Sequence, residues 1–319
     1  MSVTAVTAEA TRGASTRRSP GGRPKKSREG SRAEAVTGWL FLAPFLVIFV
    51  VFTAIPTVLA IASSMTDMTA RDIRDPLGVN FTGLDAFVAV IGNATFQSSF
   101  LNTVLFVVLC VPLSMGIGLA LAIMLNNGIR RLRTFFRAAV YVPVITNIVA
   151  AAVIWQYAFS ITGPVNSSLG GLGLAEPNWL GEPGWAITTV VMMGVWRNIG
   201  TCMILFLAGL QSVPEEVYEA AATDGAGAVR RLWSITLPLL RPTTLLVTVL
   251  MTVSFLNIFE EPYLLTSGGP LGSTRSLALW VYEQFGFGNI SASMAGSVLL
   301  LILVAIVAAV QFRMLRPKH

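Results

Sequence analysis

The chain has 319 residues, of which 54% are hydrophobic and only 12% are charged, whereas soluble domains carry about 25% charged residues. The formal net charge is +6, the two cysteines (Cys110 and Cys202) fall in apolar runs, and the only histidine is His319. These features argue against a soluble globular fold, a disulfide framework, a His-based metal site and Ser-His-Asp chemistry.

The first 36 residues form a basic tail with little hydrophobic character. They contain eight of the 22 basic residues, and the rest are mostly Ser, Gly, Ala, Thr and Pro. Such a composition cannot bury enough apolar surface to fold. Residues 1–36 are therefore predicted to be a disordered cytoplasmic tail whose charge fixes the membrane topology. The alternative is an arm that binds nucleic acid or anionic lipid; we favour the topological role and expect no nucleic-acid partner.

Six long apolar runs follow the tail. Inside a bilayer every backbone polar group must be satisfied by the protein, which leaves helices or closed barrels. The runs are apolar on all sides and close to the ~20 residues of a spanning helix, whereas barrel strands alternate polar and apolar residues. The predicted fold is an all-α membrane protein with six transmembrane helices. Their predicted positions are 38–63, 100–125, 138–159, 185–210, 239–259 and 292–312.

Positive charge is unevenly divided between the segments that connect these runs. Eighteen basic residues lie in the tail, in the second-to-third and fourth-to-fifth connections and at the C-terminus, whereas the other side holds Arg71, Arg74 and Arg275. The positive-inside rule predicts that the N- and C-termini are cytoplasmic, which requires an even number of spans. The opposite side then carries residues 66–97 and 161–184, which serve either as docking surfaces for an external partner or as simple connections.

The connection between the fourth and fifth runs, residues 211–238, has internal structure. A capping-box pattern at residues 212–215 predicts a short helix that begins at Pro214, ends at residue 223 and is rich in Ala and Glu. Two glycines, the first at Gly225, then break this helix, because glycine reaches backbone conformations that other residues avoid. A second short helix is predicted over residues 229–236.

Fixed spacings within this connection resemble the EAA motif of the permeases of binding-protein-dependent ABC importers, in the EAA-x-x-DGA form of the carbohydrate-type subfamily, which includes maltose and glycerol phosphate permeases. The residues that carry the pattern are Glu219, Ala220, Ala221, Asp224, Gly225, Ala226, Ile235, Leu237 and Pro238. The resemblance implies that this helix-turn-helix couples the pore to an ATPase subunit, with Glu219 paired to a basic residue there and Gly225 forming the turn. An ordinary connector between spans is the alternative.

The resemblance extends over residues 37–315, predicted to be the permease domain, with residues 316–319 as a cytoplasmic end. Residues 259–270 (FEEPYLLTSGGP) resemble the family's F-acid…Y-x-L-T-x-G-G-P run, with Glu260 where the family often has Asp. The resemblance implies a type I ABC importer bundle in a bacterial plasma (inner) membrane. The implied partners are a second homologous permease subunit in a heterodimeric pore, two ABC ATPase subunits, an extracytoplasmic solute-binding protein and membrane lipid.

Polar and aromatic side chains in and near the runs are candidates for a solute pathway. Polar groups within spans usually face the bundle interior, and sugars are commonly held by hydrogen bonds and aromatic stacking. The candidates are Asn147, Trp155, Gln156, Tyr157, Trp196, Arg197, Asn198, Asn257, Glu260, Glu261 and Tyr263. Each has a structural alternative: joining helices, anchoring at the membrane interface, pairing within the protein or lying in water.

The predicted function is that of the pore subunit of an ABC importer, which moves a sugar or sugar-like solute inward by alternating access. The sequence has no glycine-rich GxxxxGK[ST] loop, so ATP and Mg are expected on the partner ATPases, and this chain is predicted to have no catalytic residue, metal or cofactor of its own. The alternatives are a permease for glycerol phosphate or another small polar solute, and an ion-coupled secondary transporter. The sequence gives no indication of the inverted repeats or broken helices common in secondary transporters.

Overall fold

The computed structural model describes residues 28–74, 78–127 and 133–315. Within these ranges the secondary structure consists of helices and one isolated antiparallel bridge between Thr66 and Phe81. The all-α prediction is therefore confirmed for this part of the chain.

Several predictions fall on the remaining residues. Most of the predicted tail (1–27), Arg130 and Arg131 of the charge count, and the predicted cytoplasmic end (316–319) lie outside the described residues. The last residues of the predicted tail belong to the first helix, which begins at Arg28.

The contacts between residues divide the chain into one unit that ends at Pro56 and a second that begins at Thr57. The α-helices of the described ranges are α1 Arg28–Phe49, α2 Ile55–Ser63, α3 Asp85–Gly92, α4 Ala94–Asn127, α5 Arg133–Ile145, α6 Ile148–Ala158, α7 Pro164–Gly171, α8 Pro183–Gln211, α9 Glu215–Thr223, α10 Ala228–Arg231, α11 Leu237–Leu239, α12 Arg241–Leu256, α13 Glu260–Thr266, α14 Leu277–Gly286 and α15 Ile290–Leu315. Two π-helical segments, Val50–Ala54 and Leu232–Thr236, and a short 3-10 helix, Asp72–Arg74, complete the assignment.

In the part of the chain that the structure describes, four helical stretches are long and apolar enough to cross a membrane on their own. They coincide with the first, second, fourth and sixth predicted spans and run over Val36–Ser63, Ala94–Asn126, Pro183–Gln211 and Ile290–Met314. Two further spans result only if each of two bent helix pairs is counted as one span. In the second of these pairs the bend of 69° separates the predicted coupling loop from α12.

The third predicted span is not one continuous helix. α5 and α6 meet at an angle of 95°. Pro143 near the end of α5 lacks a backbone donor, and the Asn147 side chain accepts hydrogen bonds from the N–H groups two and three positions later, at 2.9 and 3.2 Å, to begin α6. The expectation that the chain has no broken helix is therefore wrong, because an unbroken apolar run conceals a helix cap within it.

α8 is the central helix of the second unit. It packs most extensively on α4 and also contacts α5, α12 and α13. Phe206 of α8 joins Phe106 of α4 and Phe255 of α12 in the main apolar core. A second cluster contains Phe96 and Trp280, whose ring centroids lie 5.0 Å apart. α8 is thus held by neighbouring helices on several sides.

Glycines allow the close approach of α8 to its neighbours. A Cβ atom added to Gly118 of α4 would lie 2.5 Å from the Cβ of Cys202 in α8. One added to Gly200 of α8 would lie 2.7 Å from the carbonyl oxygen of Val140 in α5. Association of membrane helices depends on packing of this kind, because lipid tails are as apolar as the helix surfaces.

Polar contacts order the connection that precedes α8. Asn166 is buried and donates through Nδ2 to two backbone carbonyls of the same segment. Its Oδ1 accepts from Trp179 Nε1 at 2.8 Å, and the Trp179 carbonyl accepts from the Thr189 hydroxyl in α8 at 3.1 Å. In the connection after α2, two hydrogen bonds from Asn80 hold the pKa of Asp67 below its usual value.

Candidate functional site

The predicted coupling loop is a helix-turn-helix, formed by α9 and by a continuous helical stretch over Ala228–Leu239. α9 begins one residue after the predicted start and ends at the predicted residue. The predicted capping box is wrong: the N-cap position is Pro214, without a side-chain cap. The Ser212 hydroxyl instead donates to the carbonyl of Gly209 at 2.7 Å, because Ser212 is the C-cap of α8.

The turn of the motif is a Schellman C-cap. The N–H of Ala226 donates to the carbonyl of Ala221 at 2.9 Å, and the N–H of Gly225 donates to that of Ala222 at 3.0 Å. Gly225 has φ +73°, the left-handed conformation this motif requires after the helix. The spacing between the EAA and DGA parts therefore has a physical cause: it places a glycine where α9 must end.

Burial divides the motif residues into an outer and an inner face. Glu219, Ala220, Asp224 and Gly225 are exposed, Ala226, Ile235, Leu237 and Pro238 are half-buried, and Ala221 is buried. The hydroxyls of Tyr218 and Thr236 lie 3.4 Å apart and connect α9 to the second helical stretch. The inner face therefore holds the two helices together, and the outer face remains open to a partner.

Two large apolar side chains on the second stretch were missed in the sequence. Val229 and Trp233 are 73% and 67% exposed and lie one helical turn apart. Their four-residue spacing on either side of two arginines, in the segment AVRRLWS, was the available signal. They give the helix-turn-helix an apolar surface in addition to its exposed acids.

A cavity of about 410 Å³ opens beside the midpoint of α8, where it meets the end of α12 and the start of α13. Its lining residues are Val144, Arg197, Asn198, Ser254, Phe255, Asn257, Ile258, Phe259, Glu260 and Glu261. Five of the predicted pathway residues are among them. Ser254 and Phe259, like the other lining residues, were not predicted, although they belong to the same polar-aromatic stretch as Asn257 and Glu260.

An ion-pair triad forms one wall of this cavity. Arg197 Nη1 lies 2.6 Å from Glu260 Oε2 and 3.2 Å from Glu261 Oε1. The Glu261 side chain is 6% exposed, whereas those of Arg197 and Glu260 are 31% and 46% exposed. Arg197 therefore pairs within the protein, and the buried carboxylate of Glu261 is compensated by a guanidinium that also reaches the cavity surface.

Residues 114–318 match the family described as the inner membrane component of binding-protein-dependent transport systems. The chain belongs to this family. It is 33% identical to the lactose transport system permease of Rhizobium radiobacter, over 89% of this chain and 95% of that one. It is 34% identical to the trehalose/maltose permease of Thermococcus litoralis (85% and 90% covered) and 33% identical to the sn-glycerol-3-phosphate permease of Agrobacterium fabrum (88% and 94%).

The fold of the permease agrees with that of a solved relative. A chain of the bacterial ABC transporter involved in the import of the acidic polysaccharide alginate superposes with a TM-score of 0.77, at 22% identity, over 90% of this chain and 98% of that chain. The resemblance predicted from the EAA and GGP patterns is confirmed by the family match. The protein is a multi-pass subunit of a bacterial inner-membrane ABC importer and forms part of its transmembrane pore.

The remaining pathway candidates of the permease do not line the cavity. Asn147 caps α6, and Gln156 Nε2 donates to the carbonyl of Leu264 at 2.7 Å, which joins α6 to α13. Tyr157 is 71% exposed. In the described ranges no group of three His, Cys, Asp or Glu side chains is placed to hold a metal ion.

The aromatic candidates of the permease pack against other rings. Trp155 stacks on Phe159, with centroids 5.1 Å apart, and lies 5.7 Å from Trp196. Tyr263 stacks on Phe259, with centroids 5.2 Å apart and ring planes at 13°. Phe259 also lines the cavity, so Tyr263 contacts a residue of the cavity wall without lining the cavity itself.

Proposed function

We propose that this permease carries a sugar or sugar-like solute inward by alternating access. In this proposal the helix-turn-helix of residues 211–238 couples the conformational changes of a separate ATPase to the cavity beside α8. The observation that carries the proposal is the Schellman turn at Gly225. It leaves the outer face of α9, with Glu219 and Ala220, exposed on a helix of fixed direction.

The cavity supports a polyhydroxylated cargo. It combines carboxylate and amide groups with the aromatic ring of Phe259, and sugars are held by hydrogen bonds to their hydroxyls and by aromatic stacking. The relatives named for lactose and for trehalose and maltose favour the same class. Glycerol phosphate remains the alternative cargo, because another relative is named for it.

The proposed assembly contains a second homologous permease subunit, two ABC ATPase subunits that bind ATP and Mg, and an extracytoplasmic binding protein. A solved relative is described as an alginate transporter in complex with an alginate pentasaccharide-bound periplasmic protein, which supports the last of these. The proposed topology has six spans with both termini cytoplasmic. In addition to the four long helices, α5 and α6 together count as one bent span, and α12 counts as the transmembrane part of the second bent pair.

A pull-down of the tagged permease from its native host in mild detergent, analysed by mass spectrometry, tests the assembly. We expect an ABC ATPase, a second permease and a binding protein, and ligand screening of that binding protein then identifies the cargo. The control is a permease in which Glu219 and Ala220 are both replaced by Arg, which should lose the ATPase but retain the second permease. Equal recovery of the ATPase with both proteins would contradict the coupling role of α9.

A further inference from the structure

The charged groups that line the cavity do not balance. Arg197, Glu260 and Glu261 are its charged lining residues, and both carboxylates share the single nitrogen Nη1 of Arg197. The formal charge of the triad is −1 at neutral pH. Glu261 is almost fully buried, whereas Glu260 is 46% exposed. The surplus negative charge therefore faces the cavity at Glu260.

The neutral polar groups of the cavity also favour a solute that donates hydrogen bonds. Asn198 Nδ2 donates to the carbonyl of Gly194 at 2.9 Å, and Asn257 Nδ2 donates to that of Val253 at 2.8 Å. Since a carbonyl oxygen only accepts, one amide hydrogen of each Asn is used within its own helix. Each Oδ1 and the carboxylate of Glu260 are acceptors, which suit the hydroxyl donors of an uncharged polyol.

We propose that the cavity selects uncharged polyhydroxyl solutes over anionic ones and that Glu260 is the determinant of this selectivity. This inference rests on the proposed role of the cavity as a solute pathway. The phosphate or carboxylate of an anionic cargo would face a carboxylate instead of a free cation, because Arg197 is already shared between two acids. The cargo class thus differs from the acidic polysaccharide and the glycerol phosphate for which two relatives are named.

The charge bias can be measured with small thiol reagents that are not cargo. The reporter is Ser254→Cys, since Ser254 is exposed and lines the cavity, whereas both native cysteines are fully buried. The full-length permease is kept in membranes that are permeabilised with mild detergent at low salt. Separate samples are treated with a cationic trimethylammonium methanethiosulfonate and with its anionic sulfonate analogue. The ratio of the two rates, divided by the same ratio for a free thiol, reports the local potential, because thiol ionisation affects both rates equally.

We expect the corrected ratio to favour the cation by roughly tenfold, as one unit charge about 6 Å away produces even in a water-like dielectric. Glu260→Gln should bring the ratio close to that of the free thiol, whereas Glu182→Gln, at an exposed position in the connection before α8, should leave it unchanged. Asn257→Cys serves as a second reporter in the same cavity.

A ratio near one with Glu260 intact, or a preference for the anion, would overturn the inference, as would reporters that react with neither reagent. The measurement does not involve the ATPase or the native cargo. Loss of the expected partners in the pull-down would therefore contradict the proposed function without changing this result, and the two failures can be told apart.

Discussion

Replacement of Gly225 by Ala tests whether the turn of the coupling loop is a conformational requirement. At φ +73° a Cβ atom collides with no neighbour, since nothing lies within 4 Å of its position. The cost is therefore confined to the backbone and amounts to about 1–2 kcal/mol for a left-handed L-residue. The matched control is Gly227→Ala, because Gly227 is equally open but has φ −64°.

A cost of this size lowers the population of the native turn by roughly five- to thirtyfold relative to alternatives in which the turn opens. We expect Gly225→Ala to reduce ATP-driven uptake, and the affinity of the permease for the ATPase, by up to the same factor. Both are measured in proteoliposomes that contain the complete importer. Membrane insertion and yield should stay at the wild-type level, because the loop contributes little to the apolar core.

The comparison of the two glycine variants shows whether coupling requires the left-handed turn. Equal uptake by Gly225→Ala and Gly227→Ala would show that the left-handed turn is not needed for coupling. Reduced insertion of Gly225→Ala would show that the turn stabilises the permease itself and would refute the separation of roles.

Three further variants test the bundle, each by thermal unfolding in detergent. Arg197→Ala leaves the buried carboxylate of Glu261 unpaired and should lower the free energy of unfolding by about 1–3 kcal/mol. Its control is Arg241→Ala, at an exposed position. Equal melting temperatures of the two variants would contradict a stabilising ion pair. Gly118→Val should lower the free energy of unfolding by about 1–3 kcal/mol, because the larger side chain overpacks against Cys202. Gly116→Val should leave the stability unchanged, because no atom lies within 4 Å of the added Cβ. Similar losses of stability in the two variants would disprove the close approach of α4 and α8. Gln156→Leu removes the hydrogen bond to the Leu264 carbonyl and should lower the free energy of unfolding by about 0.5–1.5 kcal/mol. An unchanged melting temperature would show that this hydrogen bond does not hold α6 on α13.

Local sequence patterns predicted the features that depend on neighbouring residues. The four long spans follow from apolar runs, because a helix in lipid satisfies its backbone within the segment. The helix-turn-helix follows from good helix formers that end at a glycine, and Gly225 has the left-handed conformation that such a pattern indicates. The predicted capping box at Ser212 failed because Ser212 is the C-cap of α8, with the helical backbone angles φ −82° and ψ −11°, so the N-cap position of α9 falls at Pro214.

The sequence by itself determined that this is an apolar helical bundle with a structured coupling loop, since composition and short-range spacing are sufficient for both. Only the tertiary structure decided which polar residues form the cavity. Arg197 meets Glu260 and Glu261 across 63 and 64 positions of chain, whereas Gln156 and Asn147 are used to join or begin helices. Residues of the same type within the same runs thus have different roles, because pairing depends on the packing of α8 against α12 and α13, which no local pattern encodes.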